Sequence, residues 1–168
     1  MKISLEMIGV QTTRQQVDKL KDRPTASRLW STVAQIMKAE TLRCFAEERA
    51  PSGAKWKPLS DAALRSRAYS HTKGARKRLK RIRGNQSAAF KKAMGGARIL
   101  QDTGRLRASI SANHGAGWAE VGTTIKYAPT HQYGDKRRNI PARPFIGLSQ
   151  SMRDRIQATT RKWLEEGV

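Results

Sequence analysis

The chain is most constrained by a long amphipathic stretch over residues 25–50. Trp30, Val33, Met37, Thr41 and Cys44 recur at three- and four-residue spacing, flanked by Leu29, Ile36 and Phe45. Gln35, Lys38, Arg43, Glu47 and Glu48 fall on the opposite side. That period belongs to an α-helix with one broad buried face. Thr25, directly after Pro24, is placed to cap its start, and Pro51 with Gly53 to end it. A helix of this kind cannot stand alone, because its apolar face must be covered by other elements.

Candidates for that cover flank it. Ile3, Leu5 and Met7 alternate with Lys2, Ser4 and Glu6, the period-two pattern of a half-buried strand, and Thr12 or Thr13 then starts a short helix ending near Leu20. Later, Leu106, Ala108 and Ile110 alternate with Arg105, Arg107 and Ser109, which predicts a second strand. Residues 113–117 read as a hairpin loop, and Ala119, Val121 and Thr123 against Trp118, Glu120 and Gly122 as the return strand. Residues 127–133 are open between a helical turn and a loop, and residues 139–149, with Pro141 and Pro144, are expected to be extended. Ser149 or Ser151 then caps a final helix to about residue 166, with Met152, Ile156, Thr159 and Trp163 inward. The order predicts an α+β fold, a small antiparallel sheet packed against a long helix and a C-terminal helix.

Charge is the second constraint. Lys and Arg number 34 against 13 Asp and Glu, a formal net charge of +21, which implies a polyanionic or acidic neighbour. Between Asp61 and Asp102 there is no acidic residue and there are twelve Lys or Arg, so this stretch holds +12 of the +21. The run at residues 76–83 has only Leu79 and Ile82 to bury. The 168 residues are therefore read as one domain carrying a basic insertion at about 62–98, mobile in the free protein and ordered by a partner. Its centre, Arg76, Lys77, Arg78, Lys80, Arg81 and Arg83, suits either phosphates or an acidic protein neighbour, and both readings stand. Tyr69 and Phe90 are too few aromatics for a single-strand platform, and no helix-turn-helix or finger pattern is present.

The same residues argue against catalysis. His71, His114 and His131 sit in three separate segments without ligand spacing, so no metal site is expected. Cys44, the only cysteine, lies in the apolar stripe and reads as a buried, inert thiol, compatible with a reducing cytoplasm. Gly95-Gly96 and Gly115-Ala116-Gly117 lack the lysine and the strand-to-helix setting of a phosphate loop. Asp102 reads as a turn residue, with pairing to an arginine the usual alternative to its approach to Glu120. Tyr127, His131 and Tyr133 read as packing. No apolar run approaches the roughly 18 residues of a membrane span, and the N-terminus lacks a signal peptide's apolar core. The expectation is a soluble protein that stays where it is made, with no enzymatic activity, cofactor or membrane contact.

Ile99 to Ile110, read Ile-Leu-Gln-Asp-Thr-Gly-Arg-Leu-Arg-Ala-Ser-Ile, resembles the "Thr-Gly-x-Leu, then Ser-Ile" block of the phage virion morphogenesis family, also called tail completion proteins. Further matches follow in order: Val121-Gly122-Thr123, Tyr127-Ala128, His131-Gln132-Tyr133-Gly134, and Ile140-Pro141-Ala142-Arg143-Pro144-Phe145-Ile146-Gly147. Upstream, Pro51-Ser52-Gly53 with Trp56, Pro58 and Leu59 resembles the family's Pro-x-Gly-x-x-Trp-x-x-Leu element. Within these blocks Gly104, Leu106, Gly122, Tyr127, Gly134, Pro141, Pro144 and Phe145 are the scaffold positions, the glycines for tight turns and the prolines for a fixed extended exit. The resemblance implies a subunit that forms a homo-oligomeric ring at the head–tail junction or upper tail, beside other tail, neck or portal proteins. It implies a virion location in tail or neck after synthesis in the host cytoplasm, non-specific contact with passing DNA, and no catalytic residues. The basic stretch is not explained by it. A rival reading, a small basic nucleic-acid-binding protein of regulation or packaging, rests on charge alone.

Overall fold

The computed structural model describes residues 2–5, 26–70 and 96–166. Its elements are β1 (Lys2–Leu5), α1 (Ala26–Glu47), α2 (Asp61–Ser70), α3 (Arg105–Ala108), β2 (Ser111–Gly115), β3 (Trp118–Gly122), α4 (Ala128–Tyr133) and α5 (Gln150–Glu166). The three strands form an antiparallel sheet of order β1-β3-β2, and α1 packs against β2, β3 and α5. This is the α+β arrangement expected, with the long helix at its centre.

The buried residues of α1 include the whole predicted stripe: Leu29, Trp30, Val33, Ile36, Met37, Thr41, Cys44 and Phe45. Ala112, Ala119 and Val121 face it from the sheet side of the core, and Phe145, Ile146 and Met152 complete it. Full burial of side chains such as Phe45, Met37, Phe145 and Met152 stabilises by about 1.5–3 kcal/mol each. Ala26, Ala34 and Glu40 are buried beside the stripe and were not foreseen. Glu40 is 5 % exposed, and its carboxylate meets Arg43 at 2.9 Å and Arg155 at 3.1 Å while accepting from Ser149 Oγ at 3.3 Å. A carboxylate this buried is tolerated only because three donors surround it, and they tie α1 to the start of α5.

Several local expectations need correction. The helix ends at Glu47, before Pro51 and Gly53, because Glu48 turns left-handed (φ 55) and Arg49 N–H closes onto Cys44 O at 3.1 Å. This is the closing bond of a Schellman motif at a non-glycine. Glu48 holds the position by accepting Ile99 N–H on Oε1 at 2.7 Å. The strand expected from Leu106 to Ile110 is the helical turn α3. Gly104 (φ 71) reverses the chain, and Ala108 N–H and Ser109 N–H return to Gly104 O and Arg105 O. Leu106 and Ile110 are buried but Ala108 is exposed, so the four-residue spacing decides over the alternation. Asn113, His114 and Gly115 belong to β2, so the hairpin loop shrinks to Ala116-Gly117, with Gly117 at φ 83. Gly122 is no turn residue: it pairs with Lys2 on one side and Ser111 on the other.

Residues 61–70, where the insertion was expected to begin, form α2. Residues 71–95 and the helix expected at 12–20 lie outside the described residues. In α5, Ser149 is the cap, accepting Met152 N–H on Oγ at 2.9 Å. Met152 is buried, whereas Ile156, Thr159 and Trp163 are half-buried. Among the described residues no helix is long and apolar enough to cross a membrane.

Candidate functional site: a motif junction beside a cationic cleft

Three of the motif segments, at 51–59, 131–134 and 140–147, meet at one junction. Trp56 is buried, stands edge-on to Phe45 at 5.8 Å, and donates from Nε1 to Pro144 O at 2.8 Å. Phe45 in turn lies 5.2 Å from Phe145, so the Pro-x-Gly-x-x-Trp element and the Pro-Ala-Arg-Pro-Phe element share one aromatic cluster. Among the described residues no strand pairs with the run after Pro141, and Gln132 of α4 acts as its ladder partner. Gln132 Nε2 donates to Ile146 O at 2.7 Å, and its Oε1 accepts from Phe145 N–H and Ile146 N–H at 3.0 and 3.2 Å. Sequence reasoning passed over Gln132. The signal was a glutamine in a short helix followed by an extended run, whose amides need a partner once buried.

Gly134 shows why that segment carries a glycine. Its φ is 78, and a Cβ there would stand 2.8 Å from Ala142 N and 2.9 Å from Ile140 O. The backbone passes so closely that the reciprocal Asp135–Ile140 bonds, both 2.8 Å, can form. Arg138 closes the loop on Asp135 at 2.7 Å and holds its carboxyl below the usual carboxylate range. At the other motif block, Ser109 Oγ and Thr123 Oγ1 share a hydrogen bond of 2.6 Å between the two hairpin ends.

Arg143 is the buried charge of the junction, 5 % exposed. It donates from Nε to Lys57 O at 2.9 Å and from Nη2 to Pro58 O at 3.0 Å, binding residues 57–58 to the later motif. Burial, then Arg67, pulls its pKa below the ordinary guanidinium value. Beside it opens a cleft of about 990 Å³ whose charged lining is Lys57, Arg67, Arg105, Arg138 and Arg143 against Asp102. Leu100, Leu106, Ile140, Pro141 and Tyr127 supply its apolar wall. Asp102 pairs with Arg67 at 3.6 Å, and Glu120 accepts from Asn113 Nδ2 at 3.2 Å, so these carboxylates do not meet.

His131 stands edge-on to Tyr127 at 5.7 Å. Its burial, with Arg143, Arg67 and Arg138 nearby, lowers its pKa below the ordinary imidazole value. Tyr133 was expected to pack with them, but it is 69 % exposed. Burial pushes the Cys44 thiol up to about 11, and Glu40 and Glu47 add to this against Arg43. Among the described residues no three His, Cys, Asp or Glu side chains gather to hold a metal ion. Arg76, Lys77, Arg78, Lys80, Arg81 and Arg83 lie outside the described residues.

At this junction Gln132, Trp56 and Arg143 place their polar atoms on backbone, which defines a small α+β scaffold module. The chain matches the phage virion morphogenesis family over residues 8–165 and belongs to it. It is 26 % identical over 155 residues to Mu-like prophage FluMu G protein 1 of Haemophilus influenzae, covering 92 % of this chain and 90 % of that protein. No solved structure matches.

Proposed function

We propose that this protein is a ring-forming subunit of a tailed-phage virion, acting in tail completion or head–tail joining. Its role in phage virion assembly follows from its family. What supports the finer reading is the junction itself: three motif side chains brace the backbone beneath the edge at Pro141 and Arg143 that lines the cleft. A subunit that must present the same edge to successive neighbours needs such a brace.

In this reading the protein sits in the tail or neck, beside tail, neck or portal proteins. Arg76, Lys77, Arg78, Lys80, Arg81 and Arg83 face either passing DNA or an adjoining subunit, and repetition around the ring multiplies their field. Negative-stain microscopy of the purified protein is expected to show closed rings, and labelling of intact particles to place it at the head–tail junction or upper tail. A protein that stays monomeric, or label confined to the tail tip, sinks the proposal. Neutralising the six basic residues is expected to lower particle yield, and unchanged assembly and infectivity would remove them from the role.

A further inference from the structure

We propose that neighbouring copies of this chain join head to tail, the acidic last turn of α5 of one copy seated in the cationic cleft of the next. This rests on the ring reading and names the surfaces that close the ring.

The cleft has an excess of positive charge that the described chain leaves unanswered. Asp102 is its one carboxylate and is engaged by Arg67. The side chains of Lys57 and Arg105 make no hydrogen bond or ion pair with any described residue, and Arg143 meets only carbonyl oxygens. Nor do residues 71–95, which leave after Ser70, carry any Asp or Glu in their sequence to neutralise it. An occupant that complements this lining brings negative charge, together with an apolar group for the wall of Leu100, Leu106 and Pro141.

The end of α5 has that composition in the reverse sense. Leu164 is 49 % exposed, Glu165 is exposed, and Glu166 follows in sequence. No basic residue stands in the last turn, so two acids occupy the negative end of the helix macrodipole. Acids there destabilise the helix they belong to, and the last-turn carbonyls lack intrahelical donors. Glu165 has no ion pair with any described residue of its own chain. A ring of Lys and Arg donors relieves all three defects, while Leu164 gains apolar cover. α5 is held at its start by Met152, Ser149 and the Glu40–Arg155 pair and near its end by Trp163 against the core, which leaves Leu164 and Glu165 on the outward face of its last turn. Since helix end and cleft are different surfaces, the contact is heterologous, the type that generates rings when its rotation closes.

The test uses the full chain and two independent charge reversals, Glu165→Lys with Glu166→Lys, and Lys57→Glu with Arg105→Glu. The side chains of Lys57, Arg105 and Glu165 have no described partners within the chain, so the fold should survive their reversal, which thermal melts will check. Sedimentation velocity is expected to show that each double variant associates about tenfold more weakly or worse. Mixing the two variants should restore assembly, because each reversed surface then meets its complement. Restored assembly is the decisive result. If wild type forms rings and neither reversal weakens them, or mixing restores nothing, this contact is wrong and the ring reading survives. A wild type that is monomeric at every concentration overturns both.

Discussion

Replacing Gln132 with Met removes a side chain of similar volume and all three of its hydrogen bonds. The amide orientation is dictated by its partners: flipped, the carboxamide would set its NH2 against the Phe145 and Ile146 amides and its oxygen against Ile146 O. In Gln132→Met those two N–H groups and one C=O are left in a site where Gln132, Phe145 and Ile146 are all at most 7 % exposed. Each buried backbone group without a partner costs about 1–3 kcal/mol. Some relaxation of the 145–146 segment brings the sum to the lower part of that range, about 3–5 kcal/mol. Against a domain stability of about 5–15 kcal/mol this is severe but survivable. Trp56→Phe gives the internal scale, because it deletes one bond, to Pro144 O, and part of a buried ring, and should cost about 2–3 kcal/mol. In urea titrations at a slope near 2 kcal/mol/M, Gln132→Met should lower the midpoint by roughly 1.5–2.5 M, with the slope unchanged. A loss below about 1 kcal/mol, or one no larger than that of Trp56→Phe, would show that water already serves those amides and refute the ladder-partner role.

Gly134→Ala combines a left-handed φ with backbone atoms under 3.0 Å from the new Cβ, and should destabilise by about 2–4 kcal/mol, read as a fall in Tm. His131 has a folded pKa below its unfolded value near 6.5, so the unfolded chain binds the extra proton as pH falls. Stability from this group is present above about pH 6.5 and declines as pH drops toward the folded pKa, and His131→Asn should flatten that part of the stability–pH curve. Cys44, with its thiol raised to about 11, should react with a disulfide reagent at pH 8 only as fast as the protein opens, and a rapid stoichiometric reaction in the native state would contradict its burial.

The central helix was legible because its stripe is long enough for one period to dominate. From Leu29 to Phe45 the apolar positions and the observed burial agree. The turn at residues 105–108 was not, because Leu106, Ala108 and Ile110 satisfy a strand period as well as a helical one. Only the left-handed Gly104 selects between them. The stop at Glu48 is equally hidden, since a glutamate in that conformation depends on Ile99 from a segment fifty residues on. At the junction, the glycines, prolines and Trp56 announced themselves by type. Gln132, Arg143 and Glu40 did not, because each polar side chain owes its burial to backbone or charge brought from elsewhere by the fold.

Arg67 near the end of α2 donates to Arg98 O and pairs with Asp102, so the chain departs after Ser70 and returns at Gly96 within reach of one side chain. The scaffold is thereby closed on itself before the intervening residues are counted. Because closure entropy grows only by about 0.6 kcal/mol for each doubling of the chain between two fixed ends, a change in the number of those residues should cost the domain little. Changes in the size or charge of that stretch should thus leave the domain standing, with the clasp at Arg67 as its fixed point.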